Sequence, residues 1–348
     1  MIRVLLFCLL LTSCAKMSYL YEQGSGQLGL LWNAKKNDEL LSDPSIPSEV
    51  KSKIRNVQKY KGHFYSYFDR QPSKIYSKTT LLEQKAVTYL VITSPYDRIS
   101  AQEECFPFMG CFPYLGFYEL KSAKNYAREQ ELKKGYVSYI RPVYAYSTLG
   151  YFTDTILSSF FEFDEFELGE LIFHELFHTI FFIKNEVELN ESLANYFGKE
   201  MAIEFFALKD NEKKDLERQR ENRKDLSREI VTLAQQLDLL LKEKKFSKRE
   251  DAVNFTENFV KTTFNPRISK KCQDLGLKKC SALKREWNNA SFAAYMTYES
   301  ESERIHQLRL KKGLNLKDYF TFIESEYQLF KKSSKDKSFS AFLFKNLE

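Results

Sequence analysis

The sequence predicts a helix-dominated α+β fold with a small mixed sheet and a protruding charged helical arm. Three observations predict it. Apolar residues recur at helical spacing from about 163 to 184 and again after 190. Two runs, "KAVTYLVITSPY" (85–96) and "GYVSYIRPVYAYS" (135–147), are β-branched and aromatic and carry proline at or near their ends. Between 210 and 250 the chain becomes strongly charged, while Leu216, Ile230, Leu233, Leu237 and Leu240 keep to one side of a helix.

With 348 residues, 43% hydrophobic and 29% charged, the chain can bury a sizeable core and is not of disordered composition. The aromatic fraction, 15%, implies a core rich in Phe and Tyr. Net charge is +6, with acidic and basic residues interspersed, which argues against a nucleic-acid partner. No internal repeat or low-complexity linker divides the chain, so a single domain over 14–348 is expected, with 210–250 as its arm.

Residues 1–13 read as a signal peptide. Arg3 supplies the positive charge, and Val4 to Leu11 form an apolar run too short to cross a bilayer. Leu11-Thr12-Ser13-Cys14 resembles a bacterial lipobox, in which the cysteine is acylated and becomes the first mature residue. An ordinary secretory signal is the alternative. The lipidation reading makes Cys14 a membrane anchor in the cell envelope. Ala15 in place of aspartate is compatible with the periplasmic face of the outer membrane or the outer surface.

Residues 15 to about 60 read as broken helix, interrupted at "DPSIPSE". The run 85–96 reads as an edge strand able to pair with a peptide backbone. "CFPFMGCFPYLGF" reads as a loop, and Pro142 places the second strand at an edge or ends it. Beyond Cys8 and Cys14 the cysteines are Cys105, Cys111, Cys272 and Cys280. In an oxidising compartment an even number of closely spaced cysteines suggests disulfides. Three pairings are possible and the local one is simplest; neither pair has the C-x-x-C spacing of a zinc site.

Asp164 with Glu167 three residues on predicts a capping box. A helix is expected from there to about Lys184, with a turn at Lys184 to Glu186. A second helix should be capped by Asn190. The first helix carries "FHELFHTIFF" (173–182), with two of the chain's four histidines. His174 and His178, one turn apart, can direct both imidazoles at one metal. Glu175, one step round, can reach the water that the metal activates without itself binding metal. Chance would produce this motif only about 0.005 times in such a composition. Zinc, one per chain, needs a third protein ligand. Glu191, expected in the first turn of the second helix, is preferred over Glu186 and Glu188, which read as exposed turn residues. Asn195, one turn beyond Glu191, could accept the second N–H of His174.

H-E-x-x-H followed by N-E-x-x-A (Asn190, Glu191, Ala194) resembles the gluzincin metallopeptidases, whose third zinc ligand is the second-motif glutamate. More closely, the chain resembles the bacterial predicted-aminopeptidase lipoproteins. "GQLGLLWNA", "CFPFMGCFPYLGF", "AYSTLGYFTD", "LIFHELFHTIFFIK", "NESLANYFGKE" and "WNNASFAAYMTY" are similar to that family's signatures, in the same order. It departs at Thr155, where the family tends to have proline, and in its longer charged arm. The resemblance implies a zincin-like fold and a zinc peptidase acting on peptides or proteins. Exopeptidase action is the weaker implication, because the G-x-M-E-N segment of the large zinc aminopeptidases is missing. Glu175 would be the general base, and Tyr298 and His306 are candidates for stabilising the oxyanion. The alternative is a non-enzymatic envelope lipoprotein, a scaffold or chaperone with structural zinc or none.

Overall fold

The computed structural model describes residues 19–106, 110–145, 153–277, 279–296, 302–333 and 335–345. Residues 1–13, expected to be a signal peptide, Cys14 and Tyr298 lie outside them. Two compact units organise the chain. One gathers Met1–Gly24, Thr88–Val143 and Lys209–Glu299; the other gathers Ser25–Val87, Tyr144–Leu208 and Ser300–Glu348.

In the first unit, Thr88–Ser94 is the middle strand of an antiparallel sheet. Leu115–Phe117 pairs on one side of it and Val137–Val143 on the other. It is therefore not the edge strand expected from its sequence, and it has no free backbone row to offer a peptide. Its partner Leu115–Phe117 is three residues long and lies within a Gly- and Pro-rich segment that carries no alternation to announce a strand. Pro142 does sit on a strand paired on one side only. The helix Leu120–Lys134 packs Ala123 and Ala127 against Val91, Leu115 and Phe117. It stops at Gly135, whose φ of 69° is the left-handed closure that glycine adopts without strain.

The described residues of "CFPFMGCFPYLGF" include short strands and are not all loop. Glu104–Phe106 and Gly110–Phe112 form an antiparallel pair with Cys105 opposite Cys111, and the two are disulfide-bonded. Cys272 and Cys280 form the second disulfide. Both pairings are the local ones, so none of the four sulfurs is left to ligate a metal.

The charged segment is one helix of 35 residues, Asp210–Lys244. Up to about Arg223 it is largely exposed. From Leu226 onward it is not an arm. Leu226, Ile230, Leu233, Ala234, Leu237 and Leu241 are buried, and Phe264, Ile268, Cys272, Trp287 and Phe292 belong to the same core. The charges sit on the outer face and mask a narrow but unbroken apolar stripe.

In the second unit, Lys35–Lys36, Lys78–Thr80 and Ile156–Leu157 make a small mixed sheet, antiparallel on one side and parallel on the other. Thr155, the residue that departs from the family pattern, is buried, and its hydroxyl lies 2.9 Å from that of Thr80. The helices Ser48–Tyr67, Glu165–Ile180, Val187–Phe205, Ser302–Lys312 and Leu316–Ser333 supply the core. It is aromatic: Phe64, Phe173, Phe177, Phe197, Tyr319 and Phe320 are buried. Phe177 stacks on Phe197 at 4.7 Å between centroids, which fixes the two motif-bearing helices against each other.

Candidate functional site

The motif helix, Glu165–Ile180, begins as its sequence predicts. Asp164 accepts from the Glu167 N–H, and Glu167 accepts from the Asp164 N–H. Leu168, Ile172, Phe173, Leu176 and Phe177 are fully buried. The helix ends at Ile180, four residues before the expected end. Phe181 is extended, and Phe181 and Ile183 are buried while Phe182 and Lys184 are exposed. Alternate burial of this kind requires a period of two, which a helix does not give. Asn185, at φ 65°, reverses the chain.

The second helix starts at Val187, so Asn190 does not cap it. Asn190 is 3% exposed and clamps the turn instead. Its Oδ1 accepts from the Ile183 N–H at 2.8 Å and its Nδ2 donates to the Ile183 carbonyl at 2.7 Å. An extended residue such as Ile183 has no helical partners for its backbone, and a primary amide satisfies both groups at once. Glu191 therefore stands in the second turn of its helix rather than the first. Glu186 is not a bare turn glutamate either: its carboxylate accepts from the Phe339 and Ser340 N–H groups, at 2.5 and 2.9 Å, at the start of the helix Phe339–Phe344. Glu188 is exposed. Replacing Asn190 by Ala strips both bonds from a buried peptide group. It should cost about 2–4 kcal/mol of stability, read from denaturant midpoints. Asn190→Asp, which would set a buried carboxylate oxygen against the Ile183 carbonyl oxygen, should cost at least as much. An Ala variant within 0.5 kcal/mol of the parent would remove the clamp from this account.

Three donor groups converge. The Nε2 atoms of His174 and His178 are 3.3 Å apart. His174 Nε2 lies 3.4 Å from Glu191 Oε2, and His178 Nε2 lies 3.4 Å from Glu191 Oε1. His178 is 3% exposed, His174 15% and Glu191 49%, so the group is closed at its floor and open on the glutamate side. Neighbouring donors on a tetrahedral ion with arms of about 2.0–2.1 Å stand roughly 3.3 Å apart. The separation of the two imidazole nitrogens fits one edge of such a shell, Glu191 turns one oxygen toward each ring, and a Glu175 oxygen lies within 4.8 Å of both histidines, so the donor types are those zinc takes. Two buried atoms here, Glu175 Oε2 and His178 Nδ1, have no hydrogen-bond partner. Such atoms are rare in folded proteins and concentrate at functional sites.

Close approach of the two helices sets this geometry. A Cβ on Gly198 would lie 2.8 Å from the His174 nitrogen and 3.0 Å from the Glu170 carbonyl oxygen and the His174 Cα. Glycine at 198 thus lets the second helix reach the backbone that carries His174.

The charges are unequal. Burial opposes a charge on His174, but its bond to Glu191 and the nearby Glu175 outweigh this and raise it above the ordinary imidazole value. Burial, aided by His174, pushes His178 down to about 4. Burial also pushes Glu175 up to about 7. For Glu191 burial works in the same direction, but the bond to His174 and the charge of both imidazoles hold it below its usual value. Asn195, one turn beyond Glu191, is near enough to His174 to add to the same upward shift.

Two residues that the sequence did not single out belong to this neighbourhood. Tyr76 is 2% exposed, with φ 58°. Its N–H donates to the Asp154 carbonyl and its own carbonyl accepts from Asn37. Burial, with the charges of Glu175 and Asp154, drives its phenol well above the ordinary value, so it stays neutral. Asp154 in turn raises Glu175. Tyr76 is one of 21 tyrosines and no spacing marks it, whereas Asp154 ends the segment "AYSTLGYFTD". His306 lies elsewhere: its Nδ1 is 3.4 Å from the Tyr196 hydroxyl, which also accepts from Arg309. Among the described residues no hydrogen bond or ion pair joins His306 to the triad. The fourth histidine, His63, packs edge-on against Phe205 in the aromatic core.

A family model described as "Putative aminopeptidase" matches residues 18–340. Comparison with curated proteins and with solved structures gave no match.

Proposed function

The chain belongs to the Putative aminopeptidase family, and from that premise we propose that it is a zincin-like, zinc-dependent peptidase, lipid-anchored at Cys14 in the cell envelope, that cleaves residues from the amino terminus of peptides. The convergence of His174 and His178, 3.3 Å apart at their Nε2 atoms, with the carboxylate of Glu191 facing both rings, is the observation that carries this reading.

His174 Nε2, His178 Nε2 and Glu191 would hold one zinc ion. When bound, zinc would polarise the scissile carbonyl and acidify a water molecule. Low proton affinity keeps His178 a ready donor, and Asn195, near His174, would orient its ring. Glu175 takes the proton of the attacking water on its carboxylate and passes it to the departing amine. Burial works against the charged carboxylate, which favours a group that takes up a proton and carries it to the amine. Tyr76, neutral beside Glu175, is a hydrogen-bond donor suited to the charge that develops on the carbonyl oxygen.

Metal content tests the reading directly. A fragment starting at Ala15 should carry about one zinc per chain by elemental analysis, because three converging donors suffice for a catalytic-type site. His178→Ala prepared identically should carry little. Cleavage of a peptide library that a chelator stops would establish the peptidase. Tight peptide binding without cleavage would favour a scaffold, and a folded parent without metal would overturn the zinc site.

A further inference from the structure

The chain has two tryptophans, and they are treated in opposite ways. Trp287 is 7% exposed and donates its indole N–H to the Ala282 carbonyl. Trp32 is 91% exposed. Leu28, one helical turn earlier, is 63% exposed. Both lie on a helix that runs through residues 19–32, and the exposed Lys35 and Lys36 follow it. Tryptophan is on average one of the more buried residues, and it is enriched where an apolar face meets lipid headgroups.

Length of chain decides what lies on this face. Cys14 is five residues before the start of the helix. Five steps span at most about 18 Å. From residue 19 to Trp32 the helix advances about 20 Å, at 1.5 Å per residue. Acyl chains on Cys14 would therefore keep the first turn of the helix close to the bilayer, and a helix lying along the surface brings Leu28 and Trp32 to headgroup depth. We propose that Leu28 and Trp32 are a second membrane contact, set into the headgroup region of the bilayer that holds the acyl chains of Cys14. The contact orients the anchored protein, and acylation supplies most of the affinity. It rests on the lipid-anchor reading above.

The test uses the full chain purified from membranes and reconstituted in phosphatidylethanolamine–phosphatidylglycerol vesicles, with and without brominated acyl chains. The mass of the N-terminal peptide reports acylation separately. Trp32 emission is the difference between the parent and Trp32→Phe, with Trp287 common to both. With Cys14 acylated, loss of most of that emission in brominated vesicles supports the contact, and unchanged emission overturns it. If Cys14 is not acylated, the anchor reading fails by itself. Cosedimentation of that chain with the same vesicles then decides: binding that Trp32→Phe abolishes upholds the membrane face, and no binding overturns it.

Discussion

Glu175→Gln is expected to lower kcat by about 10²–10⁴-fold while leaving zinc content at the level of the parent. The exchange keeps the shape of the side chain and removes only its ability to take a proton. Glu175 is 5% exposed and its Oε2 has no partner, so no neighbouring group stands ready to replace it. Unreduced turnover would remove Glu175 as the base. The same variant carries a second readout in the metal-free protein. A carboxyl of ordinary value near 4.5 that is raised to about 7 on folding favours the native state only in its protonated form. Its ionisation then opposes folding as pH rises through that window. Gln does not ionise, so the metal-free variant should match the parent near pH 4 and exceed it by on the order of 2–3 kcal/mol at pH 8. Denaturant midpoints across this range give the difference directly.

Gly198→Ala is expected to impair metal binding from a position that touches no metal. The added methyl would meet the His174 nitrogen, the His174 Cα and the Glu170 oxygen, all backbone atoms that cannot swing aside. The helices must separate, and His174 moves relative to Glu191 on the partner helix. A stability loss of about 1–3 kcal/mol is expected from overpacking. Zinc affinity, measured by competition with a chromophoric chelator, should fall roughly 10–100-fold, the range seen when support for a ligand is lost. Gly62→Ala is the control. It also lies within a helix, a Cβ there meets nothing within 4 Å, and it should gain about 0.5–1 kcal/mol. Affinity unchanged in Gly198→Ala would show that the helix spacing has slack.

Local, periodic features were legible in the sequence. The capping box at Asp164, the helical face joining His174 to His178, and both local disulfides depend on residues within eight positions of each other. What the sequence hid depends on distant partners. The end of the motif helix is set by Phe181 and Ile183 reaching into a core that other segments build. Asn190 looked like a cap because Asn caps helices; the Ile183 backbone, exposed by that early end, claims it instead. Glu186 appeared free because its partners lie about 150 residues on, at Phe339 and Ser340. The run 85–96 looked like an edge because its neighbour, Leu115–Phe117, is too short to leave an alternating pattern. Tyr76 joins Glu175 through tertiary placement alone, and its positive φ is invisible in a side chain other than glycine.

The carboxylate of Glu186 gives the site a timetable. The turn that presents Glu191 is tied to a helix at Phe339–Phe344, about 150 residues further along the chain. The unit that contains the candidate site also needs Ser300–Glu348 to close. Contacts of such sequence separation form late, because loop closure precedes their reward. A chain still emerging from the ribosome carries both histidines before it carries the residues whose N–H groups hold the Glu191 turn. The three groups therefore come into register only after Phe339 and Ser340 have been made and have docked on Glu186.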